Sequence, residues 1–202
     1  MHGLINRSIQ CFIQETYGRA LWERVAVLAQ VDPSGFETML AYEDSVTQAL
    51  IVSAARALDR PESVFLEDLG AFLVSIEPLR RLLRFGGPGF ADFLMSLDEL
   101  QSRGQMALPD LELPDLVLEA QRGAWFGFKV NAPQRGWAAV VTGLVRAMAD
   151  DYGALVLIEA QEPAVGDAAA PGRAAPEYVS VEVLDARFVT GRSFDLTRPE
   201  TV

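Results

Sequence analysis

Hydrophobic residues in the first hundred positions recur at intervals of three and four. Leu4, Ile5, Ile9, Phe12, Ile13 and Tyr17 form one stripe, with Arg7, Gln10, Gln14 and Glu15 opposite. That spacing predicts an amphipathic helix, which Gly18 can end. Leu21, Trp22, Val25, Leu28 and Ala29 form a second stripe, followed by a turn at Asp32-Pro33-Ser34-Gly35. The pattern resumes with Val46, Leu50, Ala54, Ala57 and Leu58 behind an N-cap at Asp44. Pro61 fits the first turn of the next helix, where its missing N–H costs nothing, and Leu66, Leu69, Phe72 and Leu73 give that helix its apolar side. Pro78 opens a short helix through Leu82 and Leu83, broken by Gly86-Gly87-Pro88-Gly89. A central helix is expected over 90–101, with Phe93, Leu94, Leu97, Leu100 and Gln101 on one face and Ser102-Arg103-Gly104 ending it.

After Gly104 the period changes. Leu116-Val117-Leu118 and the run from Trp125 to Val130 read as strands joined through Gln121-Arg122-Gly123. Trp137 to Tyr152 reads as a helix with Val140, Val141, Leu144, Val145 and Met148 inward, capped by Gly153. Ala154 to Ala160 is an apolar strand. Tyr178 to Phe188 alternates, with Val179, Val181 and Val183 on one face and Ser180 and Glu182 on the other. Residues 161–177, rich in Ala, Pro and Gly, read as a mobile hairpin loop between the last two strands. The expected class is α+β: a helical N-terminal part, then a four-stranded antiparallel sheet with helices. Residues 1–195 form one domain, and 196–202 form a tail.

Composition narrows the function. Half the residues are hydrophobic, enough for a sizeable core. Seventeen basic against 28 acidic residues leave a net charge of -11. That argues against a nucleic-acid partner and against an anionic membrane surface. The single cysteine, Cys11, excludes an intrachain disulfide and fits a reducing cytoplasm. Its neighbours Ile9, Phe12 and Ile13 make it a small buried core residue rather than a reactive thiol. No apolar run approaches a membrane span, and the polar residues Gln10 and Gln14 exclude a signal-peptide core.

Chemistry-bearing clusters are scarce. The one histidine, His2, has no metal-ligand spacing around it and reads as exposed or incidental. Glu67-Asp68 and Asp98-Glu99 are helix neighbours that point apart. Gly86-Gly87-Pro88-Gly89 lacks the strand and lysine of a phosphate loop. Arg80, Arg81 and Arg84 read as a solvated helix face. No catalytic constellation is visible, so no enzyme activity is expected.

The order of elements, with several local matches, resembles the heme nitric oxide/oxygen binding (H-NOX) family. Met1-His2-Gly3-Leu4-Ile5-Asn6 is similar to the family's opening, and Tyr17-Gly18 to the end of its first helix. Phe93-Leu94-Met95-Ser96-Leu97-Asp98-Glu99-Leu100 resembles its proximal helix, Pro114 a proline that presses on the heme, and Gly143-Leu144 a pair in its long helix. The resemblance covers roughly residues 1–190. It implies a distal helical part (1–60), a proximal part with the sheet (61–195) and heme as cofactor. It further implies a bacterial-type stand-alone gas sensor for nitric oxide or oxygen. Such a sensor signals through a partner such as a histidine kinase, a cyclase or a diguanylate cyclase.

The departures fall on the residues that hold heme. Gln101 stands where the resemblance places the histidine ligand of iron, and an amide is a poor iron ligand. The family's Tyr-x-Ser-x-Arg clamp for the heme carboxylates falls on Val130, Ala132 and Gln134, or, one residue along, on Asn131, Pro133 and Arg135. Tyrosine and serine are missing in both registers, and arginine survives in one. The distal wall implied by the resemblance, Ile5, Ile9, Val140 and Leu144, is aliphatic. With heme present it would suit nitric oxide rather than oxygen; plain core packing is the preferred reading of these four residues. The pocket positions are then Gln101, Pro114, Arg135, Ile5, Ile9, Val140 and Leu144. Three readings stay open. The first is a sensory domain without heme at the usual site, taking a small apolar or amphipathic ligand. The second is a heme-binding nitric oxide sensor ligated through His2 or a methionine such as Met95 or Met106. The third is a ligand-free interaction module.

Overall fold

A computed structural model describes residues 1–161 and 174–185, apart from the side chains of Ala107 and Asp185. The helical part comprises α1 (Gly3–Tyr17), α2 (Arg19–Ala29), α3 (Asp44–Leu58), α4 (Glu62–Ser75) and α5 (Glu77–Arg84). Next come α6 (Phe90–Met95), a 3₁₀ turn (Ser96–Glu99) and α7 (Leu100–Ala107). The rest is β1 (Asp115–Arg122), β2 (Trp125–Asn131), α8 (Trp137–Tyr152), β3 (Leu155–Gln161) and β4 (Glu177–Asp185). The four strands form one antiparallel sheet in the order β1-β2-β4-β3. The expected α+β class and sheet are as found. The expected strand residues 186–188, most of the 161–177 loop and the tail lie outside the described residues.

Two cores result. The stripes of α1 to α4 meet in one, where Ile9, Phe12, Ile13, Trp22, Val25, Leu50 and Phe65 are fully buried. Each large apolar side chain withdrawn from water there stabilises the fold by about 1.5–3 kcal/mol. The second core lies under the sheet. Phe126, Phe128 and Val130 of β2 point inward against Val179 and Val181 of β4 and the buried faces of α6 and α8. Alternation along the strands sets this, because successive side chains leave on opposite faces.

Helices α4 and α8 join the cores. A Cβ on Gly70 would strike the Val140 carbonyl, and one on Gly143 would strike the Glu67 carbonyl. The two glycines let the backbones approach, each opposite the other's helix. Arg146 of α8 pairs with Glu67 of α4 across the same crossing.

Several local expectations need correction. The central helix does not run unbroken from 90 to 101. It tightens into a 3₁₀ turn at Ser96–Glu99 and then continues to Ala107. Ser96 Oγ donates to the Phe93 carbonyl (2.8 Å), while the Arg103 guanidinium bonds the Ser96 carbonyl. Ser102-Arg103-Gly104 does not stop the helix; Ser102 Oγ donates to the Glu99 carbonyl one turn back (2.9 Å). The stop is Leu108, held extended (φ -141°, ψ 94°) by the proline after it. Leu28 is 49% exposed, and Ala26 takes its place in the buried stripe with Trp22, Val25 and Ala29. Glu43 rather than Asp44 is the N-cap of α3, and Pro61 is the N-cap of α4 rather than its first turn.

His2 is buried rather than exposed. Its Nδ1 accepts a hydrogen bond from the Leu4 amide (3.2 Å), so it caps α1. Cys11 is half-buried. Arg80, Arg81 and Arg84 are exposed but paired with Glu77 or Asp151. Arg84 also lies over the Tyr152 ring at 4.1 Å and so fastens α5 to the end of α8. No helix among the described residues is long and apolar enough to cross a membrane.

Candidate functional site

A cavity of about 290 Å³ lies between the two cores. Leu4, Ile5 and Ile9 of α1 form one wall and Leu66, Leu69 and Leu73 of α4 another. Leu100 and Gly104 of α7, Leu108, Leu111 and Leu113 of the following segment, and Val140 of α8 close it. Polar groups are few: Ser8, Thr47, Gln134 and Arg135. Two of these already donate inside the fold, Ser8 Oγ to the Leu4 carbonyl (2.9 Å) and Thr47 Oγ1 to Asn6 Oδ1 (2.7 Å). The size is near the lower end of small-molecule pockets, about 300–1,000 Å³.

Of the residues singled out in the sequence, Ile5, Ile9, Val140 and Arg135 line this cavity. Leu144 is buried in the sheet-side core instead. Gln101 and Pro114 are outside the lining, although their neighbours Leu100 and Leu113 are in it. Gln101 turns its amide to the backbone: Nε2 donates to the Leu113 carbonyl at 3.1 Å. Met95 and Met106 are 41% and 79% exposed, and neither methionine nor His2 reaches the wall.

At the start of α8 a residue that sequence reasoning missed decides the electrostatics. Glu177, the first residue of β4, accepts from the Gly136 amide (3.0 and 3.1 Å) and the Ala138 amide (3.2 Å). The free N–H groups of a helix start attract anions, and here the chain supplies its own. Nothing in the local sequence signals this, because the partners are some forty residues apart. At the same end the Met1 amine donates to Asp44 Oδ1 and to the Tyr42 carbonyl, both at 2.8 Å. That ammonium hydrogen bond holds the Asp44 carboxyl below its ordinary pKa. Tyr152, at the far end of α8, is pushed up by burial, with the Arg84 charge opposing.

The residues present do not fit heme. Among the described residues the wall carries no imidazole, thiolate or phenolate to bind iron, and its sulfur comes from Met1. Val130 and Ala132, in one clamp register, are packed and buried, and Asn131, in the other, bonds Asp115 (3.4 Å). The amides of Gly136 and Ala138 at the start of α8 are held by Glu177, and of the clamp positions in the second register only Arg135 lines the cavity.

Comparison with known proteins gives the ancestry. The family model described as "Haem-NO-binding" matches residues 2–160. A soluble guanylate cyclase of Caenorhabditis elegans, gcy-31, is 24% identical over 155 residues, covering 75% of this chain and 22% of that protein. Soluble guanylate cyclase 89Db of Drosophila melanogaster is 22% identical over 179 residues, 85% of this chain and 27% of that protein. The chain thus spans about a quarter of the length of the curated relatives it matches. Among solved structures, a Cs H-NOX mutant superposes with a TM-score of 0.76 at 12% identity, covering 92% of this chain and 97% of that one. The I5F mutant of T. tengcongensis H-NOX does so with 0.75 at 12% identity, covering 92% and 98%. At such identity the structures show the fold alone, and the fold is that of H-NOX domains. The family model spans residues 2–160, more than half of the chain, and the fold agrees with it: the chain belongs to the haem-NO-binding family of H-NOX domains.

Proposed function

We propose that this chain is a regulatory H-NOX domain whose cavity holds a small apolar or amphipathic molecule in place of heme. A change of occupancy is passed to a signalling partner, of the histidine kinase or diguanylate cyclase kind, in a cytoplasmic setting. The observation that carries the reading is the cavity wall: largely aliphatic, with a few polar groups at Ser8, Thr47, Gln134 and Arg135, and without a strong iron ligand. Occupancy can act as a signal because α1, α4, α7 and α8 all contribute to that wall. A ligand that prefers one arrangement of the two cores shifts the balance between arrangements. The open volume favours this reading over a ligand-free interaction module.

The test uses N-phenyl-1-naphthylamine, an uncharged apolar fluorophore, and hemin in parallel titrations. The expected result is saturable fluorescence enhancement with the fluorophore and no Soret shift with hemin. A stoichiometric Soret band of a ligated iron would instead establish the heme sensor reading, with Met1 the first ligand to mutate. Absence of both signals would leave the interaction module standing.

A further inference from the structure

We infer that Gln101 is a positioning residue that latches residues 108–114 over the cavity, and thereby governs how fast the cavity exchanges its contents. The exchange part of this inference rests on the cavity being a binding site; the latch does not.

The segment leaves α7 at Leu108 and enters β1 at Asp115. Leu108, Leu111 and Leu113 all face the cavity, and Leu111 is only 8% exposed. Together they form an apolar flap on the α7 side. Its backbone bonds are local: Leu108 N to the Gly104 carbonyl (2.9 Å), Leu111 N to the Leu108 carbonyl (3.0 Å) and Leu113 N to the Leu111 carbonyl (3.2 Å). These shape the flap between α7 and the sheet, where Asp115 pairs with Asn131 just beyond its far end. Pro109 and Pro114 have no N–H to give. Among the described residues, the bond that ties the far end back to a helix is Gln101 Nε2 to the Leu113 carbonyl.

The Leu113 side chain is received by the same helix. Gly104 is buried, and a Cβ there would come 2.5 Å from Leu113 Cδ1. Leu113 is therefore held twice by α7, through its carbonyl at Gln101 and through its side chain over Gly104, one turn further along. A neutral amide suits the first contact: it donates a directional hydrogen bond and brings no charge to an apolar rim. A single hydrogen bond of this kind shifts an opening equilibrium roughly fivefold, enough to regulate exchange and too little to lock it.

Two variants separate the latch from packing. Gln101→Met keeps the length and lacks the N–H; Gln101→Glu keeps the shape and, ionised, offers only acceptors. Amide hydrogen exchange of Leu111, Glu112 and Leu113 is measured with the dissociation rate of N-phenyl-1-naphthylamine from the loaded protein. In both variants exchange at these amides and the dissociation rate should each rise about fivefold. Exchange in β1 and β2 and the thermal midpoint should hardly change. Unchanged flap exchange in both variants overturns the inference, as does a rise spread over the whole chain, which would make Gln101 a general stabiliser. Faster flap exchange with an unchanged dissociation rate overturns the gating role. If the wild-type protein takes up no fluorophore, the cavity reading fails and flap exchange alone decides the latch.

Discussion

At the scale of single residues, polar groups near the cavity are engaged within the fold. Gln101 spends its amide on the Leu113 carbonyl, and Glu177 spends its carboxylate on the amides of α8. Gln101→His alone should therefore not restore stoichiometric heme. The new ring would start from a side chain aimed at the flap, and Arg135 would be the one clamp residue facing the cavity. A hemin titration checks this; a full Soret band in the single mutant would show that the clamp is dispensable. Asp44 offers a pH test. Its carboxyl is held below the ordinary value by the Met1 amine, so its contribution is complete above the unfolded carboxylate pKa of about 3.9. It fades as pH falls through the lowered value. Asp44→Asn should accordingly be slightly less stable than wild type at neutral pH, with the gap closing in strong acid. Denaturant melts of both proteins from neutral pH to about 2.5 measure it. The gap should be small, because the carboxylate is 58% exposed.

At the scale of elements, the α4–α8 crossing is the joint most sensitive to volume. Gly143 and Gly70 sit where each helix presses on the other's carbonyls. Gly143→Ala should cost about 1–3 kcal/mol, since the obstacle is backbone that cannot rotate aside. A lowered urea midpoint with an unchanged slope checks it, and a neutral result would show that the helices can part freely. The helices and strands were legible because their periods, near 3.6 and 2, are written into side-chain order. The 3₁₀ turn at Ser96–Glu99 was not, because it depends on the Arg103 guanidinium reaching back to the Ser96 carbonyl. The helix continued past Gly104 for a tertiary reason too: that glycine leaves room for Leu113. The aliphatic side of the site was visible in Ile5, Ile9 and Val140. The flap leucines and Glu177 were hidden, since a leucine's direction and a distant carboxylate's partner are fixed by the fold and not by local sequence.

At the scale of the whole molecule, α4 and α8 each belong to both cores. Phe65, Leu66 and Leu69 pack with the N-terminal helices and Val74 with the sheet side; Val140 packs with the former and Val141 and Val145 with the latter. The cavity opens beside this shared pair, so whatever fills it touches Leu66, Leu69 and Leu73 on one helix and Val140 on the other. Ligand binding should therefore stabilise the joint as a unit. At about 100 times its Kd, N-phenyl-1-naphthylamine should add about 2.7 kcal/mol to wild-type stability, or about 5–10 °C in Tm. Val140→Phe directs a ring from α8 into the same volume. That variant should melt higher than wild type without ligand, because the void is partly filled, and should lose most of the ligand-dependent shift. Thermal melts of both proteins with and without the fluorophore give the answer. An equal shift in the two would place the fluorophore elsewhere. A lower melting point for the unliganded variant would mean that the cavity cannot accept the ring without moving α4 from α8.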